Sequence, residues 1–319
     1  MRRPASPVPV PTDPDPVSEA VTEEVVRFER CSVQAALRGD PMIGSAFPAD
    51  RLLLVEQPGP WGRTGLLASR FDGAVAHLLV ARLEARGIRV VAIRRPGRHQ
   101  PDGPRRWAAV DCRPGRERVI WGRFDDDRQL LDVDVARLLD APGPSGATEP
   151  LYLVCAHGTH DACCAIRGRP VAGRLLDHRP GRVWECSHVG GDRFAANLLV
   201  LPAGLLYGRV QPEDAGRLVE LTDAGRVDAA ALRGRVGFSP AAQAALQLAH
   251  RESPDAGWRD VTVQAVDRGT EESVLVTLAV AGMPMVVSVD VRRADPAWLT
   301  CQSAAPGRAL VYRPTVLSG

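Results

Sequence analysis

The chain has 319 residues, 45% hydrophobic and 24% charged, the values of a globular protein long enough for two compact units. All 40 basic residues are arginine, the formal net charge is +2 and aromatic residues make up 5%, so no dominant basic patch or base-stacking surface points to nucleic acid. No run approaches the ~18 apolar residues of a spanning helix, and the start lacks the apolar core of a signal peptide; a soluble, cytoplasmic protein with no membrane partner is expected.

Residues 1–20 are rich in proline and poor in large apolar groups, and read as a disordered tail. An N-terminal α/β domain is expected over 21–143. Within it RLLLVEQ reads as a strand, FDGAVAHLLVARLEARG as a helix, IRVVAIRR, RRWAAVDC and RVIWGRF as strands, and RQLLDVDVARLLDA as a helix. The stretch APGPSGATEP, 141–150, has the composition of a linker.

The same order then recurs over 144–254. Strand LYLVC precedes a cysteine-bearing loop, helix RGRPVAGRLLDH, strand RVWEC, and strands LLVLP and LLYGRV. Helices near 212–224 and 239–251 follow, the second opened by Ser239-Pro240. Two α/β halves of similar pattern suggest a structural repeat. From 255 to 319, alternating segments split by glycine turns read as an antiparallel β meander.

Four of seven cysteines and four of seven histidines fall between Cys155 and Asp192, all but His178 within VCAHGTHDACC and ECSHVGGD. Cys155 ends one strand, and Cys164 lies just ahead of the expected helix, where unpaired amides favour a thiolate. Cys186 and His188 follow another strand, and Gly190-Gly191 lets the chain turn so that Asp192 comes back toward the same point. Two strand-end loops of one sheet lie side by side, so one site fed by both is expected.

The plainer readings go to the remaining groups. Cys31, Cys112 and Cys301 are dispersed and read as structural, and Cys163 as a neighbour of Cys164. His157 and His160 read as exposed or supporting groups, Asp161 as a helix cap, and Asn197 and Tyr207 as hydrogen-bonding groups near the site. Gly59-Pro60-Trp61-Gly62 reads as a turn with a buried aromatic. No nucleophile elbow, P-loop, dinucleotide fingerprint or C-x-x-C pair is present.

VCAHGTHDACCAIRGRP and ECSHVGGDRFAANLLVLPAGLLYGRV, together with Cys31-Ser32 and SAFPADRLLLVEQPGPWG, resemble the sucrase/ferredoxin-like family, whose members are similar to thioredoxin-like 2Fe-2S ferredoxins. The likeness runs over most of the chain after residue 27. It implies two thioredoxin-like α/β halves before the β meander, and cluster ligation by two cysteines nine positions apart and two histidines four apart. Carried onto this chain, these positions are Cys155, Cys164 and His188, with Asp192 where the second histidine stands. Cys186, two residues before His188, is the rival for that fourth place.

The resemblance implies an electron carrier rather than a catalyst, passing one electron through a 2Fe-2S cluster to a redox partner protein. Nothing in the chain resembles the paired carboxylates of glycoside hydrolysis. The competing reading is zinc held by Cys155, Cys164, Cys186 and His188, in a structural or interaction module with no redox role.

Overall fold

The computed structural model describes residues 29–97, 103–142, 149–270 and 272–318; the expected tail over 1–20 and most of the 141–150 linker lie outside them. A first βαβ unit runs from β1 (Arg51–Glu56) through α2 (Gly73–Glu84) to the parallel strand β2 (Ile88–Arg94), and follows a short helix α1 (Cys31–Leu37). Strand β3 (Arg105–Asp111) pairs antiparallel with β1, and β4 (Arg118–Phe124) with β3. The order is therefore β4-β3-β1-β2.

The second half repeats this plan. Strand β5 (Leu151–Cys155) leads through helix α4 (Ala162–His178) to the parallel strand β6 (Val183–Cys186). Strand β7 (Leu198–Leu201) returns antiparallel to β5, and β8 (Leu205–Tyr207) antiparallel to β7. The halves meet where β2 and β6 pair antiparallel, Ile93 with Cys186 and Arg94 with Glu185. With β9 (Leu232–Arg235) on the far edge, the result is one nine-stranded mixed sheet, β4-β3-β1-β2-β6-β5-β7-β8-β9. The expected recurrence is thus present, and its two copies are fused edge to edge.

The seam between them is polar as well as hydrogen-bonded. Arg94 pairs with the buried Glu185 at 2.7 Å, Trp121 stacks on Trp184, and Arg95 lies over the Trp184 ring. Strands β1 and β5 are uninterrupted apolar runs because both their faces are covered. Leu52, Leu54, Leu151 and Leu153 share one core; on the opposite face Leu53 and Val55 pack with α2, and Tyr152 and Val154 with α4.

Behind β9, helix α6 (Pro240–Glu252), following α5 (Ala215–Asp223), packs its alanine-rich surface into a four-stranded antiparallel sheet. That sheet is β10 (Val261–Arg268), β11 (Ser273–Val280), β12 (Met283–Arg293) and β13 (Leu310–Ser318), in that order. Alternate residues such as Val276, Leu278, Val287 and Val289 point inward and the others outward, the alternation of a sheet wet on one face.

The structure departs from the sequence reading in three places. RQLLDVDVARLLDA is a 3-10 turn over 127–131 and a separate short helix α3 (Val135–Asp140), because Asp126 and Asp134 each cap their own turn. Helix α4 begins at Ala162, so Cys163 and Cys164 lie inside its first turn rather than ahead of it, with Asp161 as the expected cap. Strand β9, LRGR, carries no apolar alternation; its two arginines are buried against backbone carbonyls.

Candidate metal centre

Cys155 is the last residue of β5 and Cys186 the last of β6, so the donors gather at the carboxyl ends of a parallel strand pair, where α/β sheets commonly bind ligands. Cys155 and Cys164 are fully buried. Their sulfurs and a ring nitrogen of His188 all lie within 4.8 Å of one another, as do single donor atoms of His160, His188 and Asp192. Two of the expected donors thus come from β5 and the first turn of α4, and two from the 187–192 loop.

Helix α4 can reach Cys155 because Gly168 has no side chain: a Cβ there would stand 2.1 Å from the Cys155 carbonyl oxygen. The 187–192 loop is held from beneath by Arg233 of β9. Its guanidinium donates to the Gly190 carbonyl at 2.8 Å, to Asn197 Oδ1 at 2.7 Å and to the Ser45 carbonyl at 2.6 Å. Gly191, at φ +74°, is pressed so closely on Arg233 that a Cβ would meet Nη2 at 2.4 Å. Arg233 and β9 have no counterpart in the sequence reading, since a buried arginine in an all-arginine chain carries no signal. Asn197 serves as expected, donating to the Gly191 carbonyl at 2.9 Å; Tyr207 instead lies in the core shared with α4 and α5.

The charges converge on one spot. Asp192 Oδ1 is 3.2 Å from Cys164 Sγ and 3.0 Å from His188 Nδ1. The Cys164 thiol, with His188 adding to it, holds Cys155 well below the ordinary thiol range against the opposing effect of burial. Cys155, burial and Asp192 in turn push Cys164 up. Burial acts against a charge on His188, yet Asp192 and Cys155 outweigh it and raise the imidazole to about 9. Asp192 is lowered by His188 despite its own burial. Sulfur, imidazole and carboxylate groups therefore face one another and set each other's charge.

The donor set fits a metal group. His188 Nδ1 is buried without an aligned hydrogen-bond partner, although Asp192 is close. Arg233 is fully buried, and burial foremost, with Arg193 adding, lowers it to about 9. Cys155 and Asp192 are the negative charges that offset it most.

The loop histidines divide. His157 is buried, its Nε2 donating to the Gly62 carbonyl at 2.7 Å while Nδ1 accepts the His188 amide at 3.2 Å, so both nitrogens are spent on backbone. His160 stacks on the His188 ring at 3.8 Å and joins the donor group, a position that its loop placement alone did not reveal. Cys186 is buried opposite Cys155 in the strand register, but among the described residues its sulfur enters none of the groups of three or more donors. Arg193 turns inward over the Phe194 ring beside Asp40.

A cleft of about 560 Å³ opens on this centre, lined by His157, His160, Ser187 and His188 together with Arg63 and Arg89. Among the described residues, no helix is long and apolar enough to cross a membrane.

Comparison with known proteins adds a family. The sequence model described as sucrase/ferredoxin-like matches residues 42–234, more than half of the chain. A curated relative, altered inheritance of mitochondria protein 32 of Meyerozyma guilliermondii, is 33% identical over 86 residues, 24% of this chain and 30% of its own length. This chain thus spans under a third of that relative. No solved structure matches.

Proposed function

Because this chain belongs to the sucrase/ferredoxin-like family, we propose that it carries one electron through a 2Fe-2S cluster in a thioredoxin-like second half, residues 144–254. Cys155 and Cys164 would hold one iron, and His188 with Asp192 the other. The observation that carries this reading is the convergence of Cys155, Cys164 and His188 within 4.8 Å at the ends of β5, α4 and β6. When bound, the cluster supplies reversible one-electron chemistry, with a potential set by ligand charge and nearby hydrogen bonds.

The chain's own residues tune and shield that centre. Asp192 takes the fourth position because it touches both Cys164 and His188 and is almost fully buried, whereas His160 is a third exposed. A carboxylate is harder than imidazole and anionic, so the fourth bond is weaker and the potential lower than with a second histidine. Arg233 offsets the thiolate charge without contacting solvent. The partly exposed His188 edge in the cleft offers the shortest approach for a redox partner protein, and the reading suits a cytoplasmic carrier.

Zinc is the second reading, because a donor group as compact as Cys155, Cys164 and His188 also suits one tetrahedral ion. Anaerobic purification with iron, sulfide and zinc quantified beside the visible spectrum decides between them. Red-brown protein with two irons per chain supports the cluster; colourless protein with zinc at this centre overturns it. Asp192→Ala, His160→Ala and Cys186→Ala compared by spectrum and cluster lifetime then identify the fourth ligand, with the largest loss expected for Asp192→Ala.

A further inference from the structure

Helix α4 carries two consecutive cysteines in its first turn, and only Cys164 belongs to the centre described above. Cys163 points to a different place, where it meets the first residue of α1, Cys31, and Cys301 from the turn between β12 and β13. The Sγ atoms of Cys31 and Cys163 are 3.6 Å apart, and those of Cys163 and Cys301 3.5 Å. Asp161 Oδ2 lies 3.7 Å from Cys31 Sγ, and the four donor atoms are all within 4.8 Å of one another. The cysteines are not joined as disulfides.

Hydrophobic packing does not account for this gathering. The apolar cluster that holds Cys31 and Cys163 contains just one further residue, Ala195. The sulfur spacings instead approach the separation of about 3.8 Å that a tetrahedral ion imposes at a sulfur distance of about 2.3 Å. The surroundings are ordered as those of metal ligands are. Asp161 accepts from the Cys163 amide at 2.8 Å through one oxygen, and from the Cys301 amide at 2.8 Å and Thr300 Oγ1 at 3.0 Å through the other. The Cys31 amide donates to Cys301 Sγ at 3.4 Å. A cavity of about 520 Å³ lined by Arg30, Cys31, Trp298, Thr300 and Cys301 gives an ion a way in, and Cys301 itself is exposed.

We propose that Cys31, Cys163, Cys301 and Asp161 form a second metal site, taking one zinc ion or a similar thiolate-seeking divalent cation. Its ligands come from three segments spread over 270 residues. The ion would staple α1, the start of α4 and the β12–β13 turn together, contributing its binding energy to the folded state. The site shares no ligand with the first centre and does not depend on what that centre holds.

The test uses the full chain with Cys155→Ala and Cys164→Ala, which abolishes the first centre. This protein should retain one equivalent of zinc, and replacement by cobalt should give the absorption of tetrahedral thiolate coordination. Adding the exposed-turn substitution Cys301→Ala should remove the ion, while Thr300→Val should weaken it about tenfold or more. In the otherwise unaltered chain, Cys301→Ala should lose one equivalent of zinc and keep whatever metal the first centre holds, a readout that stands even if the doubly substituted protein fails to fold. Zinc content unaffected by Cys301→Ala, or metal-free protein with a disulfide among these three cysteines, would overturn the proposal.

Discussion

The two halves of the nine-stranded sheet share one strand order, yet among the described residues only the second gathers cysteine and histidine donors at its strand ends. In the second half β5 ends in Cys155 and α4 opens with Cys163 and Cys164. At the corresponding places in the first half, β1 ends in Glu56 and α2 opens with Gly73, Ala74 and Val75. The first half serves in another way. The loop after β1 lends backbone carbonyls to the cysteine loop of its partner, Trp61 accepting from Thr159 Oγ1 at 2.5 Å and Gly62 from His157 at 2.7 Å. The contrast teaches that a repeated scaffold fixes where a site can be, while residue chemistry decides which copy becomes one.

The sharpest way to break that contrast is to exchange thiols. Cys155→Ser should abolish metal at the first centre, seen as loss of iron and of visible absorption. Cys112→Ala in the first half should leave metal content unchanged and cost about 1 kcal/mol by denaturant unfolding, since Cys112 is a buried core residue.

Glycines on the two paired helices should differ next. Gly168→Ala drives a methyl into the Cys155 carbonyl and should destabilise the apoprotein by about 3 kcal/mol. Gly73→Ala on α2 meets open space and should be neutral or stabilising by about 0.5 kcal/mol. Equal effects at both positions would contradict the tight seating of α4.

Acid should separate the shared sheet from the helix behind it. Burial, aided by the Arg235 charge, lowers His250 of α6 to about 4. Below an ordinary imidazole value of about 6.5 the unfolded chain takes a proton that the folded one refuses, so stability should fall as pH drops from about 6.5 through 4, by about 3 kcal/mol in full. His250→Leu should flatten unfolding free energy over that window. An unchanged slope would place the acid sensitivity elsewhere.

A modest effect probes the brace between the halves. Thr159→Val removes one hydrogen bond to the Trp61 carbonyl and should cost about 1 kcal/mol, with no change in metal stoichiometry.

Much of this was legible beforehand. The strands β1 to β8 are bounded by turn residues and carry apolar runs, and the Asp161 and Ser239 caps stand where the side chains predict. Periodicity could not show α1, β9 or β13, because α1 is only two turns long, β9 buries arginines, and β13 is largely exposed. Dispersed cysteines looked structural one at a time; proximity of Cys31 to Cys301 is invisible at a separation of 270 residues.

The sequence by itself determined the family resemblance, the order of strands β1 to β8 with their helices, and Cys155, Cys164 and His188 as candidate donors. Local pattern and spacing suffice for these, since strand ends and helix starts are fixed by neighbours in the chain. Only the tertiary structure decided that the halves fuse through β2 and β6, that Arg233 supports the 187–192 loop, that His160 stacks into the first centre, and that Cys163 turns away to meet Cys31 and Cys301. Each of these is a contact between distant segments, set by packing that no stretch of sequence contains.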